Sequence, residues 1–224
     1  MTTTLSPTAR TTIVRGKARA RTDRDELHQF LDEALIAHLG VDVGDHPLVL
    51  PVAFATDVAG PDDGGTLYIH GSVAARWLTS AQGRTVCVTI TEVDGLVAAR
   101  SGFHHSMNYR SAVVIGEARV VADPQERARA LDLTVDHMIP GRSATLRAST
   151  RRELAATAVL AVPLREASMK VRADGPVDDP ADLDPAVWAG VIPVRRVAEE
   201  PRASPDTAAA VPGDIRRRAQ DLGR

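Results

Sequence analysis

Residues 48–194 break into short apolar stretches separated by turn formers, with no regular alternation of strand and helix. A parallel sheet needs a long crossover between successive strands, so the pattern excludes doubly wound α/β folds and leaves antiparallel pairing. The stretch 48–55 (LVLPVAFA) is a strand interrupted by Pro51, which predicts an edge or a bulge. A short strand is predicted over 66–70. Residues 85–92 alternate, with Val86, Val88 and Ile90 on one face. Asp94-Gly95 is a hairpin signal, with 96–99 as the returning strand. The longest candidate is 111–121, with Gly116 as an expected bulge. Strands over 157–164 and 188–194 complete a mainly β, α+β barrel with peripheral helices.

The helices are fewer. Residues 23–39 read as one amphipathic helix, because Leu27, Phe30, Leu31, Ala34, Leu35 and His38 recur at three- and four-residue spacing. Asp23 with Glu26 resembles a capping box, and Gly40 is the expected stop. Asp123-Pro124 opens a second helix that runs to about His137, and 150–155 suits a short third. Residues 173–185, rich in Asp and Pro, are expected to form a loop, and a helix is possible from Gly213. The domain plan is a disordered N-terminal arm (1–22), one folded domain (23–200) and a C-terminal tail (201–224).

Composition narrows the function. A net charge of −2 supplies no basic field to recruit nucleic acid. No apolar run approaches the ~20 residues that span a bilayer. The single Cys87 has no internal disulfide partner and is expected to pack in a buried strand, which suits the cytoplasm. The chain has 25 Arg but only Lys17 and Lys170 as lysines. Lys170 therefore stands out, because an ammonium and a guanidinium recognise anions differently. No G-x-G-x-x-G, Walker or G-x-S-x-G sequence is present, which disfavours dinucleotide-binding Rossmann, P-loop and serine-hydrolase chemistry.

Residues 102–111 read GFHHSMNYRS. They resemble the FHHS-NYRS signature of a bacterial branch of the pyridoxamine 5′-phosphate oxidase-like superfamily, a branch related to the nitroimidazole-resistance proteins. Residues 67–76 (LYIHGSVAAR) resemble that branch's strand and phosphate loop. Pro140-Gly141-Arg142, then 167–172 (ASMKVR), 175–179 (GPVDD) and 188–194 (WAGVIPV) follow in the family's order. The resemblance implies a split β-barrel of the flavin-reductase type. It also implies a homodimer with FMN in each of two clefts between subunits.

By that resemblance, Val49, Leu50, Pro51 and Val52 flank the flavin ring, while His70, Gly71, Ser72 and Arg76 hold its phosphate. Arg supplies a planar fork for two oxygens, Ser a small hydroxyl, and Gly a close backbone approach. Ala75 and Trp77 depart from the family, which often has Ser before the Arg and, in the oxidases, a second cation after it. Ser111, with Arg110 beside it, and Trp188 are expected at the ring. Lys170 and Arg172 are expected to share one strand face, with Lys170 at the flavin's phosphate or pyrimidine edge.

The implied function is an FMN-dependent oxidoreductase that reduces a small organic substrate. A flavin carrier or sensor without turnover is the alternative, as is a barrel holding haem or the deazaflavin F420. Pyridoxamine phosphate oxidation itself is disfavoured, since the oxidases' C-terminal R-x-H pattern is missing. No catalytic residue is identified. No metal site is expected, because adjacent His104 and His105 would point to opposite sides of a strand.

Overall fold

A computed structural model describes Thr4, Leu5 and residues 8–222. In chain order the elements are β1 (Ala20–Arg21), α1 (Arg24–Glu33), β2 (Ala37–Asp42), β3 (Pro47–Val52), β4 (Phe54–Asp57), β5 (Thr66–Ser72), α2 (Arg76–Ala81), β6 (Thr85–Ala98), β7 (Ser106–Glu117) and β8 (Arg119–Val120). Then come α3 (Pro124–Met138), α4 (Arg151–Ala156), β9 (Thr157–Pro163), β10 (Ala167–Arg172), β11 (Gly190–Pro193) and α5 (Gly213–Leu222). All pairing is antiparallel. One sheet runs β1-β10-β7-β6-β2-β3 with β11 alongside β6, and the other runs β4-β5-β9-β8. The sheets pack face to face without closing, which is the split-barrel architecture.

Alternation builds the core. Leu39, Val88, Ile90 and Val114 of the large sheet meet Phe54, Leu67, Ile69 and Leu160 of the small one, with Leu27, Phe30 and Leu31 of α1 beneath. The small sheet is covered on both faces. Tyr68, Val159 and Ala161 form a second cluster with Ala130 of α3, so β5 and β9 read as apolar runs. The outer face of the large sheet is covered in part, residues 10–15 lying over β7 and β10. His38, Val49, Pro51 and Thr91 there are exposed, and Ser111, Val113 and Lys170 are half-buried.

Several expectations are corrected. The helix begun at Asp23 stops at Glu33, and 37–42 form β2. The side chain of Asp23 accepts from the backbone N–H of Asp25 rather than completing a box with Glu26, whose carboxylate pairs with Arg21. Asp94-Gly95 does not turn the chain. β6 runs straight through it, with a register shift between Val93 and Gly95. Gly116 is regularly paired, not bulged, and its missing side chain makes room for Val162 and Pro163 of the facing sheet. Cys87 is half-buried on the large sheet's outer face, beside Thr89.

The arm and the tail are both tied down. Leu5 is 2% exposed, its N–H bonds to the carbonyl of Thr22, and Arg10 pairs with Glu166. The buried leucine, the Arg10 ion pair and the pairing of β1 with β10 together hold the segment. The tail ends in α5, where Arg218 donates to the carbonyls of His137 (3.0 Å) and Met138 (2.7 Å) and so caps α3. No helix among the described residues is long and apolar enough to cross a membrane.

Charge holds α3 to the small sheet. Arg119 donates to both carboxylate oxygens of Asp62 (3.0 and 2.7 Å) and to both of Glu126 (3.0 and 2.5 Å). The hydroxyl of Tyr68 donates to Glu126 at 3.0 Å. Burial, helped by Glu126, pushes the Tyr68 phenol up to about 12. Arg119→Met leaves two carboxylates facing each other without a cation. The expected loss is about 2 kcal/mol, below the ~3–5 of a fully buried pair because the Arg119 side chain is 36% exposed. Urea unfolding reads it, and a loss under about 0.5 kcal/mol would show the network to be surface decoration.

Candidate functional site

β5 carries the first group of residues. Packing on both faces ends at Ile69, and from His70 onward the strand becomes half-buried and then exposed. His70 is half-buried, its Nδ1 is enclosed, and the ring makes no hydrogen bond among the described residues. The Ser72 hydroxyl accepts from the N–H of Ala74 (3.2 Å) and turns the chain toward α2. Arg76 opens that helix; it is exposed and forms no ion pair among the described residues. Gly71 has a different partner from the one expected. A Cβ there would lie 2.7 Å from Cζ2 of Trp77, so the group that closes on Gly71 is an indole rather than a phosphate.

Only half of β3 faces outward. Val49 and Pro51 are exposed, while Leu50 and Val52 turn toward the core, Leu50 opposite the buried Leu39. Any flavin contact from Leu50 or Val52 would therefore come from backbone. Ala53 alone links β3 to β4, and Phe54 pairs with Ile69, so the end of β3 arrives beside His70. The backbone at the end of β3 thus comes near the end of β5, while Val49 and Pro51 face the large sheet's outer side and His70 continues the face of Tyr68.

The remaining expected residues separate. Ser111 and Lys170 pair directly across β7 and β10. Ser111 stands three strand spacings from β3, roughly 14 Å, and Lys170 four, roughly 19 Å. Arg110 points to the opposite face from Ser111. It donates to both Asp94 oxygens (3.1 Å each) and to Glu33, over the ring of Phe30. Its donors are committed to protein carboxylates, so it does not join Ser111. Arg172 does not share an open face with Lys170 either. It is 4% exposed and donates to Asn108 and to the carbonyls of Asp174 and Gly175, fixing the loop after β10. Trp188 is 65% exposed, its ring lying over Gly190. It borders an apolar patch made by the exposed, cross-paired Leu96, Met107 and Ile192, with Phe103 nearby in sequence to Met107 and also exposed.

Two features lay outside the sequence reading. A cavity of about 880 Å³ opens between α1, the end of β6 and α5. The buried His28 lines it; burial, then the neighbouring Arg24 charge, pushes its pKa down, and its Nε2 has no hydrogen-bond partner among the described residues. Nothing in the local pattern marks His28, because the cavity arises only when α5 docks. The second feature concerns the paired histidines. His105 turns back to the carbonyl of Ser101 (2.9 Å), while His104 faces Asp179 (3.3 Å) with Asp182 close by.

The family model for pyridoxamine 5′-phosphate oxidase matches residues 23–171. Among solved structures, the flavocytochrome Anf3 from Azotobacter vinelandii is 34% identical, with a TM-score of 0.86, covering 95% of this chain and 98% of that one. The FAD and haem binding protein from Mycobacterium smegmatis is 37% identical, with a TM-score of 0.80, covering 88% and 96%. A proposed 5-nitroimidazole antibiotic resistance protein from Bacteroides thetaiotaomicron shares the fold at 22% identity and a TM-score of 0.54, covering 68% and 86%. No curated protein matches the chain.

Proposed function

Because the chain belongs to the pyridoxamine 5′-phosphate oxidase family, we propose that it is a flavin- and haem-binding oxidoreductase acting on a small organic partner. FAD is favoured over the expected FMN, since the Mycobacterium smegmatis relative is described as binding FAD and haem. One observation carries the reading. At the end of β5 and the start of α2 an unpartnered imidazole and an unpaired guanidinium stand within seven residues, His70 to Arg76. A guanidinium without a counter-ion suits a flavin phosphate, and an imidazole without a partner suits haem iron.

The other histidines fit haem less well. His137 is held by the carbonyl of Ala34 (2.7 Å) and packs on Phe54. His46 pairs with Asp45, His105 is held by the carbonyl of Ser101, and the Nε2 of His104 lies 3.3 Å from the Asp179 carboxylate without a hydrogen bond among the described residues. His28 lies in a cavity lined by six carboxylates against four arginines, Arg110, Arg195, Arg196 and Arg218, so its net charge is unfavourable to haem carboxylates. His38 stands exposed on the open sheet. A bound flavin exchanges hydride or single electrons and haem single electrons. The chain's own part is to anchor phosphate at Arg76 and Ser72, present Val49 and Pro51 as an apolar wall, and offer a ring nitrogen at His70.

A homodimer is part of the proposal. The large sheet's outer face and the patch around Leu96, Met107 and Trp188 leave much apolar surface uncovered, and a second copy would cover it while closing the cleft. Arg76→Ala tests the flavin half of the reading. It should weaken FAD by about 1.5–3 kcal/mol, roughly 10- to 150-fold, and leave riboflavin, which lacks phosphate, unaffected. Equal weakening of both ligands would contradict the assignment.

A further inference from the structure

We propose that the cavity beneath the N-terminal arm is a second anion site, which takes the phosphate group of a small molecule other than the flavin. The cavity measures about 510 Å³ and lies between residues 10–15 of the arm and the outer face of β7 and β10. Its lining holds three cations, Arg10, Arg15 and Lys170, and not one Asp or Glu. Arg10 is neutralised by Glu166 outside the lining, an ion pair that also fastens the arm. Arg15 and Lys170 form no ion pair among the described residues. In a chain with more acidic than basic groups, two unpaired cations in a cavity free of carboxylates raise the local potential for an anion.

The polar groups between them point to the kind of anion. Lys170 and Ser168 share a strand face, Ser111 sits directly opposite Lys170, and Tyr109 lies two residues before Ser111. The three hydroxyls make no hydrogen bond among the described residues, yet all line the cavity. An ammonium, a guanidinium and three hydroxyl donors exceed what the two oxygens of a carboxylate accept, and match the three or four oxygens of a phosphate. The roof is set in place by the chain itself. Leu5 anchors the arm in the core, and the turn at Thr8 is closed by the N–H (3.1 Å) and hydroxyl (2.6 Å) of Thr12.

The inference does not rest on the flavin reading. Ser111 on β7 stands three strand spacings, roughly 14 Å, and Lys170 on β10 four, roughly 19 Å, from β3 along the same sheet. Inorganic phosphate is the probe, titrated by calorimetry into the full chain with and without saturating FAD, flavin content being read separately by absorbance. Phosphate should bind in both cases. Lys170→Met and Arg15→Gln should each raise its Kd about tenfold, with Lys17→Met, outside the cavity, as the unchanged control. Arg15 lies in the exposed arm, so a folding defect does not confuse that variant. Three results would overturn the proposal: no phosphate binding, equal binding in all variants, or binding abolished by FAD. The last would make the cavity the cofactor's own phosphate seat.

Discussion

His70→Ala is expected to abolish haem loading, with affinity falling on the order of 100-fold or more, while FAD still binds. Loss of a group that merely orients a ligand already costs ~10–100-fold in metal-site affinity, and loss of the ligand itself costs more. The substitution should leave the fold intact. His70 is half-buried at the end of β5, makes no hydrogen bond among the described residues, and pairs through backbone with Val159. His38→Ala is the control, since His38 stands on the open sheet and should leave haem unaffected. Haem titrations followed at the Soret band compare the three proteins. Full haem affinity in His70→Ala, with loss in His38→Ala, would move the ligand to the other histidine.

The second large effect concerns stability. Phe54 is fully buried at the first position of β4, where the chain crosses from one sheet to the other. Its ring lies 4.7 Å from that of His137, which ties α3 to the end of α1 through the carbonyl of Ala34. Phe54→Ala removes the aromatic group that fills the junction of both sheets and two helices. The expected loss is ~3–5 kcal/mol, a large part of the ~5–15 that a domain of this kind has. Burial holds the His137 pKa below its usual value despite the hydrogen bond to Ala34. The unfolded chain therefore binds the extra proton first. The stability from neutral His137 is present above about pH 6.5 and declines as pH falls through its lower folded value. Urea unfolding at pH 8 and pH 5 measures both effects, and a loss under about 1 kcal/mol in Phe54→Ala at both values would mean the junction repacks.

Much of the fold was legible where side-chain period and capping agreed. Asp123 and Pro124 mark the start of α3, and the side chain of Asp123 accepts from the N–H of Glu126 (2.9 Å). The alternation in 85–92 matches β6. The errors arose where two local readings fit equally well. Leu35 and His38 continue a helical stripe, but Ala37, Leu39 and Val41 also alternate, and pairing with both β3 and β6 decides for strand. Asp-Gly normally turns a hairpin, but here Gly95 is buried against Val191 and the carbonyl of Ile192, so β11 keeps the strand extended.

The expected site residues divide differently between the elements. His70, Ser72 and Arg76 follow one another from the end of β5 into α2, as the motif order implies. Arg110 and Ser111 were carried as a pair because they adjoin in the NYRS motif, although alternation alone sets them on opposite faces. The arm was expected to be disordered, whereas its described residues make contacts at Leu5, Arg10 and β1 that no local pattern announces. The cavity it roofs was invisible for the same reason, since its cations come from residues 10–15 and from β10.

The central claim, that the chain holds a flavin together with haem, is tested most directly by the purified protein itself. Its absorbance spectrum after supply with haem, paired with chromatography of the flavin released by acid, reads both groups at once. A Soret band with flavin absorbance, and FAD as the released flavin at about one per chain, is the expected result. A protein that shows neither band after supply with both cofactors would contradict the account.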